Sequence, residues 1–125
     1  MQKSKEANLL KTLLEWCKRM TQGYENVNVT NFTSSWRNGL AFCAIMHRYN
    51  PSLIDFGSLT KDGILDNNRL AFEAGEALGV PALLDPEDMI ALPVPDKIAV
   101  VTYLSTAYCK LKDRKPRELM FITDF

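Results

Sequence analysis

From Trp36 to Tyr49 the chain reads WRNGLAFCAIMHRY, and its only charged side chains are Arg37 and Arg48. On a helical wheel the small or charged positions Arg37, Ala41, Ala44 and Arg48 fall at i, i+4, i+7 and i+11 in one narrow strip, and nearly all the rest is apolar. A helix apolar around most of its circumference needs neighbours on several sides, so this segment is expected at the centre of a helical bundle. Ser34 or Ser35 is the expected N-cap and Pro51 the expected stop. Gly39 inside the segment costs about 1 kcal/mol of helix propensity against Ala. Its expected use is to let another backbone come close.

The rest of the chain supplies the neighbours. In residues 6–20, Leu9, Leu13, Trp16 and Met20, with Leu10, Leu14 and Cys17 beside them, make one helix face, and Gly23 is a plausible stop. Lys11, Glu15, Lys18 and Arg19 lie opposite, where Lys11 to Glu15 and Glu15 to Arg19 are i, i+4 pairs. The stretch GYENVNVTNFT is too short and too rich in Asn for a strand and reads as an ordered loop pinned by Tyr24, Val29 and Phe32. A third helix is expected over 67–78, capped by Asp66 and stopped by a left-handed Gly79 before Pro81, with Leu70, Phe72, Ala74, Ala77 and Leu78 as its apolar face. Asp85 followed by Pro86 opens a short helical turn whose acidic residues Glu87 and Asp88 suit a helix N-terminus. A fourth main helix is expected over 97–111, capped by Asp96, with Ile98, Val101, Leu104, Tyr108 and Leu111 on one side and Ala99, Thr102, Thr106 and Lys110 on the other. After KDRKPR the segment ELMFITDF is oddly apolar and is read as packing back on the domain or as linker.

At 125 residues, 46% hydrophobic and 24% charged, the chain has the size and composition of one globular domain. No charged and then apolar leader and no long apolar run occurs, so the expectation is a cytoplasmic protein with no transmembrane segment. Net charge is zero but unevenly spread. Residues 1–49 carry seven Lys/Arg against three Asp/Glu, residues 50–96 two against nine, and residues 97–125 six against three. That neutrality argues against nucleic acid as a partner, while basic ends suit an acidic protein surface. The isolated domain is expected to be monomeric.

Chemistry is not expected. Cys17, Cys43 and Cys109 are far apart, without Cys-x-x-Cys spacing, and read as reduced core thiols. His47 is the only histidine, on the stripe of Trp36, Leu40 and Cys43, and reads as a hydrogen-bonded core or boundary residue, not a ligand or base. There is no Gly-rich phosphate loop, no His-Glu-x-x-His, no Gly-x-Ser-x-Gly and no EF-hand loop. Helix capping accounts for the carboxylates of Asp85, Glu87 and Asp88 better than acid and base work does. The expectation is a binding module with no cofactor, no metal and no catalytic residue.

The segments LLEWCKRMTQGY, VTNFTSSWRNGLAFCAIMHRYNPSLIDFGSL, NNRLAFEAGEALGVPALLDPEDM and PDKIAVVTYLSTAYCKL, in that order and spacing, resemble the core of a calponin homology domain. The match runs over residues 7–111, leaving 1–6 as an N-terminal extension and 112–125 as a C-terminal tail or linker. TNFTSSWRNGLAFCA resembles the single-copy domains of the EH-domain-binding protein, MICAL, cytospin and smoothelin families, the first of these most. The resemblance implies an all-α fold of four main helices, about 6–20, 36–49, 67–78 and 97–111, plus short helical turns. The second, third and last would form a roughly parallel bundle crossed by the first. It implies a core that includes Trp16, Trp36, Leu40, Phe42, His47, Phe72 and Tyr103. It also implies a non-enzymatic module of a cytoskeletal or adaptor protein, with actin filaments as a weak partner. Carried over by segment, the candidate partner-binding residues are Lys11, Glu15, Lys18 and Arg19 of the first helix and Ala99, Thr102, Thr106 and Lys110 of the last. Strong actin binders of this family pair two such domains, and one is present here. The alternative is a regulatory or scaffold role toward a membrane-traffic or intramolecular partner.

Overall fold

The computed structural model describes residues 2–116. The chain forms α1 (Gln2–Met20), a 3-10 turn (Ser34–Trp36), α2 (Leu40–Tyr49), two more 3-10 turns (Pro51–Leu53 and Phe56–Ser58), α3 (Ile64–Ala77), α4 (Pro86–Ala91) and α5 (Lys97–Leu111). No strand occurs among the described residues. The fold is all-α, as expected; the apolar tail segment 118–125 lies outside the described residues.

Every residue from Leu40 to Met46 is at most 1% exposed, so α2 is the hub that its composition requires. The Phe42 ring lies 4.8 Å from Trp36, 5.3 Å from Phe72 and 5.4 Å from Tyr103. One side chain thus joins the first 3-10 turn, α2, α3 and α5, in the tilted and edge-on geometries that aromatic quadrupoles favour. Below this cluster Trp16 of α1 meets Tyr108 of α5 edge to face at 5.2 Å.

The segment 36–49 is not one helix. Gly39 sits at φ +81, a left-handed conformation that a right-handed helix cannot contain, so the 3-10 turn ends at Trp36 and α2 starts at Leu40. Neither Ser34 nor Ser35 caps α2; Asn38 Oδ1 accepts from Leu40 N–H at 3.0 Å, and Ser35 Oγ accepts from Thr30 N–H instead. The close approach expected at Gly39 is present. A Cβ there would stand 2.7 Å from Asn68 N and 2.8 Å from Asn67 Cβ.

Other boundaries and faces shift as well. The first helix begins at Gln2, before residue 6, and α3 begins at Ile64, so Asp66 lies in its first turn and Gly63 stands at the cap. Asn67 and Asn68 are therefore carried inside. Asn67 Nδ2 donates to the carbonyls of Asn38 and Thr60, and Asn68 Nδ2 to those of Arg37 and Ile64. These bonds fasten α3 to the turn before α2, with Asn68 Oδ1 and the Tyr103 hydroxyl left buried and unpartnered. Gly79 has the left-handed φ of +94 expected of it, and Asp96 caps α5 by accepting from Ile98 N–H. Leu9 is 69% exposed and Ile98 77% exposed, and Ala77 is exposed too, contrary to the expected faces. The buried face of α5 is Val100, Tyr103, Leu104, Ala107 and Leu111, rotated from the expected stripe because residues 98–104 are apolar on nearly every side.

The thiols divide. Cys17 and Cys43 are buried, while Cys109 is exposed, because the rotation of α5 turns residue 109 outward. Burial pushes the Cys17 thiol up and the Cys43 thiol up to about 12, and Cys43 Sγ also donates to the Asn67 carbonyl. Thiolate is the reactive form, so native protein is expected to take up one equivalent of a thiol reagent quickly, at Cys109, and the other two only as it unfolds. Peptide mapping after brief labelling checks this; rapid labelling of Cys17 or Cys43 would contradict it.

Candidate functional site

The two charges of the central segment do not face solvent alone. Arg37 Nε donates to the Leu92 carbonyl at 2.8 Å and its Nη2 to the Ile90 carbonyl at 3.0 Å, at the C-terminal end of α4. Arg48 Nε donates to the Met20 carbonyl at 2.7 Å, its Nη2 bonds the Gln22 carbonyl, and its guanidinium lies 4.9 Å from the Tyr24 ring centre. A cation against the orphan carbonyls of a helix C-terminus is favourable on both hydrogen-bond and dipole grounds. Each arginine thus closes a helix other than its own. The sequence held a signal for this: lone charges on an otherwise buried segment must be paired.

Tyr24 is held by the same corner. Its hydroxyl and His47 Nδ1 share a hydrogen bond of 2.8 Å, and its ring packs edge-on to Phe56 at 4.8 Å. His47 is half-buried, and burial first, then the Arg48 cation, lowers its pKa against an opposing pull from Asp55. The other residues given a core role, Trp16, Trp36, Leu40, Phe42, Phe72 and Tyr103, are all buried. Among the described residues no cluster of three or more His, Cys, Asp or Glu stands close enough to hold a metal ion, and no helix is long and apolar enough to cross a membrane.

The eight candidate contact residues fall on two packed helices. Lys11, Glu15, Lys18 and Arg19 are exposed on α1, where neither Lys11 to Glu15 nor Glu15 to Arg19 closes into an ion pair. Their charges remain open to a partner. Glu15, Lys18 and Arg19 also line an open groove of about 610 Å³, together with residues 21–23 and 27–30. On α5, Thr102 and Lys110 are exposed while Ala99 and Thr106 are half-buried. The Thr102 and Thr106 hydroxyls donate back to the carbonyls of Ile98 and Thr102. Of that strip, Lys110 carries the charge.

The Trp16–Tyr108 contact joins the two helices, and Lys112 Nζ lies 5.4 Å from the centre of the same Tyr108 ring. The basic first and last segments, separated by most of the sequence, therefore meet across one aromatic pair. The acidic middle is elsewhere, on α3 and α4, where Arg69 pairs with Asp66 at 3.3 Å and reaches Glu87 at 4.0 Å.

Residues 7–112 match the family model of the calponin homology (CH) domain. A mouse MICAL-like protein 2 is 53% identical over 108 residues, covering 86% of this chain and 11% of the relative. An alpha-actinin from Dermatophagoides farinae is 52% identical over 97 residues, covering 77% of this chain and 11% of the relative. An [F-actin]-monooxygenase mical2 of Xenopus tropicalis is 50% identical over 97 residues, covering 77% of this chain and 9% of the relative. The chain thus spans about a tenth of the length of these relatives.

Proposed function

The chain belongs to the calponin homology domain family, and on that premise we propose that it is a non-enzymatic protein-interaction module of a larger cytoskeletal protein, whose partner is the actin filament. The observation that supports the reading is the contact of α1 with α5 through Trp16 and Tyr108, which packs the two segments that carry the basic excess against each other. Similarity to an alpha-actinin and to a monooxygenase whose name places it on F-actin supports the choice of partner. The contacts are Lys11, Lys18, Arg19 and Lys110, with Glu15, Ala99, Thr102 and Thr106 between and beside them.

The physics sets the strength. Exposed charge pairs are worth under about 1 kcal/mol each, so one domain with a handful of them binds weakly and only through several acting together. Screening removes much of this, because the Debye length falls from about 30 Å at 0.01 M salt to about 8 Å at 0.15 M. The expected result of co-sedimentation with filaments is a pelleted fraction that is largest at low salt and declines steeply toward physiological salt. A chain that stays in the supernatant at low salt and high filament concentration would rule out the filament as partner and leave the non-filament scaffold reading.

A further inference from the structure

Asn38 is the one asparagine of the sequence that is followed by glycine. A glycine in that position leaves its amide nitrogen unshielded and its backbone free to turn, so it can attack the preceding side chain. In that reaction the Gly39 nitrogen gives up its proton and bonds Asn38 Cγ, closing a cyclic imide, and Nδ2 leaves with that proton as ammonia. Water then opens the ring at one of its two carbonyls. Cleavage at Cγ leaves aspartate at position 38 in a normal chain; cleavage at the main-chain carbonyl leaves isoaspartate, with the chain running through Cβ and Cγ. Water enters and ammonia leaves, with no oxidation or reduction.

The fold opposes this step at both reacting groups. Gly39 N–H donates to the Trp36 carbonyl at 3.1 Å, and Asn38 Oδ1 accepts from Leu40 N–H at 3.0 Å. Gly39 is buried, and the Asn38 carbonyl accepts from Asn67 Nδ2 at 2.9 Å. Ring closure has to break the first two bonds inside the packed joint between α3 and the turn before α2. We propose that Asn38 is a spontaneous modification site which the native fold protects, so that deamidation there occurs from the opened chain and records unfolding. The two products differ in their return. Aspartate keeps an oxygen for Leu40 N–H and caps a helix as well as asparagine does, so it refolds. Isoaspartate adds a methylene to the main chain beside Gly39, where even a Cβ would stand 2.7 Å from Asn68 N, and it takes out of the chain the carbonyl that Asn67 holds. That product is shut out of the native fold.

The test is incubation at mildly alkaline pH, native and in urea, followed by mapping of the peptide that contains position 38. A protease that cuts before aspartate but not before isoaspartate separates the two products. Native protein is expected to deamidate there at least about tenfold more slowly than unfolded protein, in keeping with its small open population. Trp36→Ala, with a larger unfolded population, is expected to deamidate faster than wild type in native buffer. After refolding and brief proteolysis, isoaspartate is expected only in the digested fraction and aspartate in the resistant one, and Asn38→Asp is expected to unfold close to the wild-type midpoint. A native rate equal to the unfolded one, or a rate that Trp36→Ala leaves unchanged, would overturn the protection. Isoaspartate in the resistant fraction, or an Asn38→Asp variant that does not fold, would overturn the sorting of the products.

Discussion

Trp36→Ala is expected to cost about 3–5 kcal/mol, a large part of the 5–15 kcal/mol that holds a typical domain together. Trp36 is fully buried, its ring packs on Phe42 at 4.8 Å, and its Nε1 donates to the Asn31 carbonyl at 2.7 Å. Truncation therefore removes the largest wholly buried side chain, opens a cavity beside the Phe42 hub and leaves the Asn31 carbonyl without that donor. Trp36→Phe keeps most of the ring and loses the hydrogen bond, so it should fall well short of the alanine cost. Urea unfolding of both variants measures this. A loss below about 1 kcal/mol for Trp36→Ala would mean that the aromatic cluster is not the centre of the core.

Gly39→Ala is expected to be nearly as damaging, at about 3 kcal/mol or more, although it adds one methyl group. Two independent costs act at this position. The φ of +81 disfavours any residue with a Cβ, and that Cβ would press within 3 Å of the backbone of α3 at Asn67 and Asn68, which cannot swing aside as a side-chain tip could. Gly23 is the internal control. Its φ is +88, but nothing lies within 4 Å of its Cβ position, so Gly23→Ala carries only the backbone cost of about 1–2 kcal/mol. Equal destabilisation of the two variants in thermal unfolding would contradict the close approach of α3.

The contrast between these glycines shows what the sequence could and could not reveal. Residues 36–49 announce a central position by being apolar all round, and the burial of Leu40 to Met46 follows from that. The break at Gly39 was not legible, because its conformation is imposed by a backbone that arrives from α3, and local propensity contains no term for it. Polar residues mislead in the same way. Asn67 and Asn68 look like the solvent-exposed start of a helix, yet they are drawn inside to bond four carbonyls. Leu9, Ile98 and Cys109 mark a different limit. Where a helix is apolar on adjoining sides, periodicity establishes a face without establishing its phase, and the tertiary contact decides which residues are left outside. For the candidate surface, the basic bias of both ends was readable. Their meeting across Trp16 and Tyr108 was not; Arg37 and Arg48, as lone charges on a buried segment, signalled that they would be paired, without signalling that the ends of neighbouring helices would take them.

Filament binding by the basic residues of α1 and α5 is tested most directly by co-sedimentation with actin filaments at low and physiological salt for the wild type and for the triple variant Lys11→Glu, Lys18→Glu, Lys110→Glu. All three residues are exposed, so the variant should unfold at nearly the wild-type midpoint, which is checked first. Wild type is expected to pellet at low salt and to lose most of that binding at physiological salt, and the triple variant is expected to remain in the supernatant at both. A variant that pellets as well as wild type would contradict the assignment of the contact to the basic surface of α1 and α5.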